Sequence, residues 1–144
     1  MKTKISVLLM LPLLLLYSTA TGQAERTFVK SFNLMGRQTV VLNLGENIKI
    51  SPWDSDVMRI QMTVALPSTN DATLKALAES GRYILKSDLD LQNVIVTTPN
   101  VRNAIKVNGT ELKETLSFTV FVPKSVMVLK NSDANAKIVA KLNP

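Results

Sequence analysis

The sequence predicts a mainly β protein: a β-sandwich or a short β-solenoid-like sheet assembly, with one short helix at about Asp71–Ser80. Three observations lead there. In NIKISPWDSDVMRIQMTVAL, Asn47–Leu66, the residues Met58, Ile60, Met62, Val64 and Leu66 share one parity, while Arg59, Gln61 and Thr63 take the other. That is the period of a strand with one buried face. Glu111–Val122 repeats the pattern, with Leu112, Leu116, Phe118, Val120 and Val122 inward and Lys113, Thr115, Ser117 and Thr119 outward. Around these two stretches, short apolar runs alternate with clusters of Gly, Pro, Asn and Asp that reverse a chain.

Before any strand comes a leader. Lys2 and Lys4 precede an apolar run from Ile5 to Leu16, which is followed by Ser18, Thr19, Ala20, Thr21 and Gly22. The run is shorter than the ~20 residues that span a bilayer, and the small residues fit a cleavage site. The expected organisation is a Sec-type signal peptide over 1–22 and a single β-rich domain over 23–144. The protein is therefore expected in the periplasm, on the outer surface or secreted, with no transmembrane anchor after signal cleavage. No Cys follows the leader, so there is no thiol to carry a lipid.

The elements follow in order. Arg26–Leu34 is a weakly patterned first strand. Thr39–Leu44 is a better one, with Val40, Leu42 and Leu44 on one side, and Gly45-Glu46-Asn47 is expected to close a hairpin into Ile48 and Ile50. Pro52-Trp53-Asp54-Ser55-Asp56 makes a corner that holds the only Trp. Pro67 ends the long strand. Ser68, Thr69, Asn70 and Asp71 supply N-caps for the helix, Leu74, Leu77 and Ala78 recur at its spacing, and Gly81 sits where a C-cap belongs. Arg82–Lys86 and Asp88–Leu91 resume a strand pattern, and a change of parity at Gln92-Asn93 makes Leu91–Thr98 a bulged strand or a hairpin arm. Asn108-Gly109 closes a short hairpin begun at Ile105. Val126–Leu129 is nearly all apolar, as in a strand covered on both faces, and Lys137–Leu142 is a last short strand.

Composition bounds the function. The chain has 144 residues, 17 Lys and Arg, 11 Asp and Glu, and neither His nor Cys. Lys2 and Lys4 leave with the leader, so 15 basic residues face 11 acidic ones, a net of +4 over 122 residues. The cations are scattered singly, without the clustering and interleaved aromatics of a nucleic-acid binder, so no nucleic-acid partner is expected. Lack of His and Cys removes the commonest general base, metal ligand and thiol nucleophile. The pairs Asp54/Asp56 and Asp88/Asp90 lack the ligand spacing of a calcium loop and read as turn residues. The expectation is a non-enzymatic protein with no cofactor and no metal.

The turn into NIKISPWDSDVMRIQMTV, then the later LSFTVFVPKSVMVLKNSDANAKI, resembles adhesin families of bacterial envelopes, including the head-domain type common in Bacteroidetes. The positions that carry the resemblance are Ile48, Ile50, Trp53, Asp54, Val57 and Ile60, then Val120, Val122, Pro123, Val126, Val128, Asn131 and Ser132. The chain departs from it at Ala134-Asn135-Ala136, where the family favours Gly, and has only 5 Gly in all. The resemblance implies an exported β-rich protein whose strands often continue as a stacked β-solenoid. With the leader, the strand content and the missing catalytic residues, the leading expectation is an adhesin-like interaction module that meets an unknown protein or glycan partner at the cell surface.

Trp53, Asp54 and Phe121 are the candidate interaction surface. Trp53 has a competing and preferred reading as a corner residue folded over the sheet edge to cover the core. Phe121 breaks an otherwise polar strand face and is expected to touch a neighbouring element. The alternative function is a periplasmic binding or accessory protein that holds an apolar ligand between its sheets, with Met58 and Met62 lining the pocket. Edge-strand self-association is a further expectation, opposed by Lys137 and Lys141.

Overall fold

A computed structural model describes residues 23–67 and 71–131. The expected leader, the expected caps Ser68–Asn70 and the expected last strand with Lys137 and Lys141 lie outside the described residues. The elements are β1 (Ala24–Phe32), β2 (Thr39–Asn43), β3 (Ile48–Trp53), β4 (Met58–Leu66), α1 (Asp71–Glu79), β5 (Lys86–Leu89), β6 (Asn93–Thr97), β7 (Lys106–Val107), β8 (Thr110–Glu111), β9 (Thr115–Pro123) and β10 (Met127–Lys130). The first sheet has the order β1-β4-β9-β3, and the second β10-β2-β6-β5. β7 and β8 form a separate ribbon. The fold is mainly β with one short helix, and its sheets do not close into a barrel.

Both sheets turn their apolar parity towards one core. Met58, Ile60, Met62, Val64 and Leu66 of β4 are wholly buried, as are Val40 and Leu42 of β2, Val94 and Val96 of β6, and Val120 of β9. All belong to a single cluster. Each such side chain contributes roughly 1.5–3 kcal/mol relative to an exposed position. Met58 and Met62 are thus core-filling residues. In the first sheet β4 is antiparallel to β1 and β9, while β3 runs parallel to β9. In the second, β2 runs parallel to both β10 and β6.

Gly45-Glu46-Asn47 is a corner between sheets, which corrects the expected hairpin. β2 lies in the second sheet and β3 in the first. Gly45 takes φ +97°, and Phe118 N–H donates to Asn47 O at 2.9 Å, drawing the chain onto β9. The physical reason is that Leu44 and Ile48 both face the common core. A change of sheet allows this, and turn residues alone specify a reversal but not the next strand's partner.

Two further expectations give way. Val126–Leu129 contains no strand covered on both faces. Among the described residues β10 is an edge strand paired to β2 alone, and Met127 on its outer side is 57% exposed. Its apolar content is shared instead: Val126 and Val128 pack on the core, while Leu129 lies beside Val41 on the sheet's outer face. Arg82–Lys86 is not a strand either. Gly81 takes φ +81°, Gly81 N–H donates to Ala78 O and Arg82 N–H to Leu77 O, the paired bonds of a helix C-cap. The chain then coils so that Arg82, Tyr83 and Leu85 are buried, and strand pairing starts only at Lys86. The strand also stops at Leu89: Asp90 begins the turn, so Leu91–Thr98 resolves as a hairpin arm, β6, antiparallel to β5. Asn108 (φ +50°) and Gly109 (φ +78°) occupy the tight turn of the β7–β8 ribbon.

The open edge of β3 is blunted. The bond to Asn47 O turns the backbone groups of Lys49 and Ser51 towards β9, leaving those of Ile48, Ile50 and Pro52 outward. Pro52 has no N–H to offer, and Lys130 Nζ donates to Ile48 O at 3.0 Å. A further strand would meet a missing donor and an ammonium group.

Candidate functional site

The site is built where β3 crosses to β4. β9 lies between these strands, so Asp54–Val57 must pass over its end. Trp53 Nε1 donates to Val57 O at 2.9 Å and Val57 N–H to Ser55 Oγ at 3.4 Å, which hold the crossing tight. Asp54 pairs with Lys124 at 2.6 Å, strapping the crossing to the turn that leaves β9.

Trp53, Asp54 and Phe121 do come together. The Trp53 and Phe121 ring centroids lie 5.4 Å apart at 36°. The Arg59 guanidinium sits 5.1 Å from the centre of the Trp53 ring. Trp53 does not cover the core. It folds over the outer face of the first sheet, half-buried against Phe121 from β9 and Arg59 from β4. The reason is parity: Ser51 and Phe121 pair in register on the outward side, and Trp53 is two residues on from Ser51.

This aromatic cluster ends a broad polar face. One row across the strands runs Ser31, Arg59, Phe121, Ser51; the next runs Val29, Gln61, Thr119, Lys49; the next brings Thr27 and Thr63 beside Ser117. Thr27 and Thr63 share a hydroxyl hydrogen bond of 3.0 Å. These three rows contain two cations and no carboxylate. Glu25 lies one row further on, beside Ala65.

A second polar cluster lies elsewhere and is buried. The Arg82 and Glu114 side chains are 7% and 6% exposed. Arg82 Nε donates to Glu114 Oε1 at 2.8 Å and its terminal nitrogen to Oε2 at 2.6 Å, a bidentate pair. Further donation to Asn100 O and Asn103 O joins the helix C-terminus to the 98–104 loop. Tyr83 Oη donates to Glu114 Oε1 at 2.6 Å, and its ring lies 5.4 Å from that of Phe28. The hydrogen bond from Arg82 to Glu114 raises the guanidinium pKa against the opposing effect of burial. Burial first, then the bond to Glu114, pushes the Tyr83 phenol well above its ordinary value. A phenol held protonated and a carboxylate fully occupied by donors make a structural tie. Sequence reading passes over this pair, whose members are 32 residues apart. One signal exists: Glu114 shares the inward parity of Leu112, Leu116 and Phe118, a charge where a core residue is expected.

Of the paired aspartates, Asp90 caps its own turn. The Asn93 amide, with the backbone N–H groups of Gln92 and Asn93, holds its carboxyl below the usual carboxylate range. Among the described residues no group of three or more His, Cys, Asp or Glu could hold a metal ion. A concavity of about 330 Å³ lies between the Asn33–Gln38 turn, Asp56 and Ser125. Another of about 430 Å³ lies beside the β7–β8 ribbon, lined by Pro67, Leu112 and Lys113 among others. Neither is lined by Met58, Met62 or Trp53. No helix among the described residues is long and apolar enough to cross a membrane.

No family model, no curated protein and no solved structure matches the chain.

Proposed function

We propose that this protein is a non-enzymatic interaction module, exported to the cell envelope or beyond, that meets its partner with the outer face of the first sheet. The observation that carries the reading is the cluster on that face. Trp53, Phe121 and Arg59 stack on three neighbouring strands while Asp54 and Lys124 strap the crossing above them. A rigid aromatic and arginine group beside an uncovered polar sheet is the composition of a recognition surface rather than of a reaction centre. The leader at 1–22 and the likeness to envelope adhesins supply the compartment. The buried Arg82–Glu114–Tyr83 group supports a binding role by its location, since its polar atoms are spent on one another away from that face.

The test has two parts. Fractionation of producing cells, with protease added to intact cells, is expected to find the protein outside the cytoplasm. Purified protein is expected to sediment with envelope material from the same cells. A protein confined to the cytoplasm, or one that leaves envelope material untouched, contradicts the proposal.

A further inference from the structure

Resting on that reading, we propose that the ligand of this face is an anionic polysaccharide, a polymer of uronate-type sugars laid across the strands between Lys49 and Arg59.

The sign of the charge comes first. Lys49 and Arg59 are both exposed, neither makes an ion pair among the described residues, and the three rows that contain them hold no carboxylate. Of the two acids on the strap, Asp54 is held by Lys124, and Asp56 lines the concavity beside the Asn33–Gln38 turn. Opposite charge on a ligand is therefore complementary here, and a cationic or purely apolar ligand is not.

The aromatic geometry decides against a neutral sugar. Neutral glycans are gripped by stacking a ring on an open aromatic plane. The Trp53 ring has Arg59 over it and Phe121 5.4 Å away, so it is not a bare platform. What the stack does instead is hold the Arg59 guanidinium in a fixed orientation, leaving its N–H fork for a carboxylate. A pre-positioned fork loses little freedom on binding.

The rest of the face favours a sugar over an acidic peptide or a membrane. Ser51, Thr119, Ser117 and Gln61 lie between and beside the two cations, and each offers donors and acceptors to ring hydroxyls, directly or through water. Val29 and Phe121 are the apolar side chains of these rows, and Phe121 is half-buried against Trp53, which leaves little apolar surface to enter a bilayer. The face is also open rather than concave, which suits an extended polymer better than a small molecule. Lys49 and Arg59 are two strands and one register step apart, roughly 12 Å between Cα atoms from ordinary sheet spacings. One polymer chain spans that distance and presents carboxylates to both.

The experiment measures binding of purified protein to polygalacturonate, with dextran as neutral polymer and polyglutamate as acidic peptide. The expected result is binding to polygalacturonate that weakens with salt, about tenfold weaker in Arg59→Gln and several-fold weaker in Lys49→Gln. Lys86→Gln, the same charge loss on the second sheet, is expected to leave affinity unchanged. Lys49 is exposed and outside the Trp53 stack, so Lys49→Gln keeps the test decisive if Arg59→Gln disturbs that stack. Equal binding of dextran, tighter binding of polyglutamate, or equal losses in Lys86→Gln and Lys49→Gln overturns the inference. So does absence of binding to polygalacturonate. If the protein still sediments with envelope material in that case, the interaction-module reading stands and only the ligand class falls.

Discussion

Two clusters in this molecule are made of the same parts. Each joins an aromatic ring, an arginine and a carboxylate, and each ties separate elements together. Around Trp53, the guanidinium of Arg59 rests on the ring and the carboxylate of Asp54 reaches Lys124, all on an outer sheet face. Around Tyr83, the guanidinium of Arg82 and the phenol both close on Glu114 inside the protein. Burial separates their roles. In low dielectric, each donor and acceptor needs a partner, so the buried cluster saturates itself and becomes structure. On the open face, water satisfies what the protein does not, and Arg59 keeps hydrogen-bonding capacity for something else.

The comparison breaks most visibly at Glu114. Glu114→Ala leaves Arg82 buried without its carboxylate, and the expected loss is about 3–5 kcal/mol in urea unfolding. Asp54→Ala removes an ion pair whose side chains are 88% and 65% exposed, and its expected loss lies within about 1 kcal/mol. Similar losses at the two carboxylates would erase the distinction.

Tyr83 gives the next largest effect and a pH signature. Its folded-state pKa is raised, so the folded protein holds the proton more tightly than the unfolded chain. The associated stability is complete below the ordinary tyrosine pKa of 10.0 and is lost as pH rises above it. Tyr83→Phe is expected to cost about 1 kcal/mol at neutral pH and to flatten the decline in melting temperature above pH 10.

Asp90 marks the acid side with the smallest effect. Its folded-state carboxyl pKa is lowered, so its contribution is present above the unfolded value of 3.8 and is lost as pH falls through the folded one. Melting curves of Asp90→Asn are expected to fall less steeply than those of the parent protein between pH 4 and pH 2.

The two clusters differ equally in how far the sequence reveals them. β4 and β9 are legible because nine-residue strands with one buried face repeat a period of two long enough to be seen. Trp53 and Asp54 stand out as neighbours at a corner, and Phe121 as a break in parity. Arg59 and Lys124 do not, because an arginine on a polar strand face and a lysine in a turn are ordinary until the fold sets them beside Trp53 and Asp54. Arg82 and Glu114 are harder still. Their meeting depends on a helix C-cap that coils the chain inward and on a loop between them, and only the misplaced parity of Glu114 hints at it. Likewise Gly45 announces a reversal, but which sheet receives β3 depends on β9, some seventy residues later. Local chemistry writes the turns; long-range pairing decides what they join.

The proposal that the first sheet's outer face is the binding surface is tested most directly by moving one carboxylate. Thr119 lies half-buried at the centre of that face, beside Lys49, and Thr97 occupies an outward position on the second sheet, beside Asn43. Thr119→Glu and Thr97→Glu change charge and volume identically, and polygalacturonate binding is measured on both once circular dichroism shows each is folded. Loss of binding in Thr119→Glu with parent-like binding in Thr97→Glu is the expected result. Parent-like binding in Thr119→Glu, or equal loss in both, would contradict it.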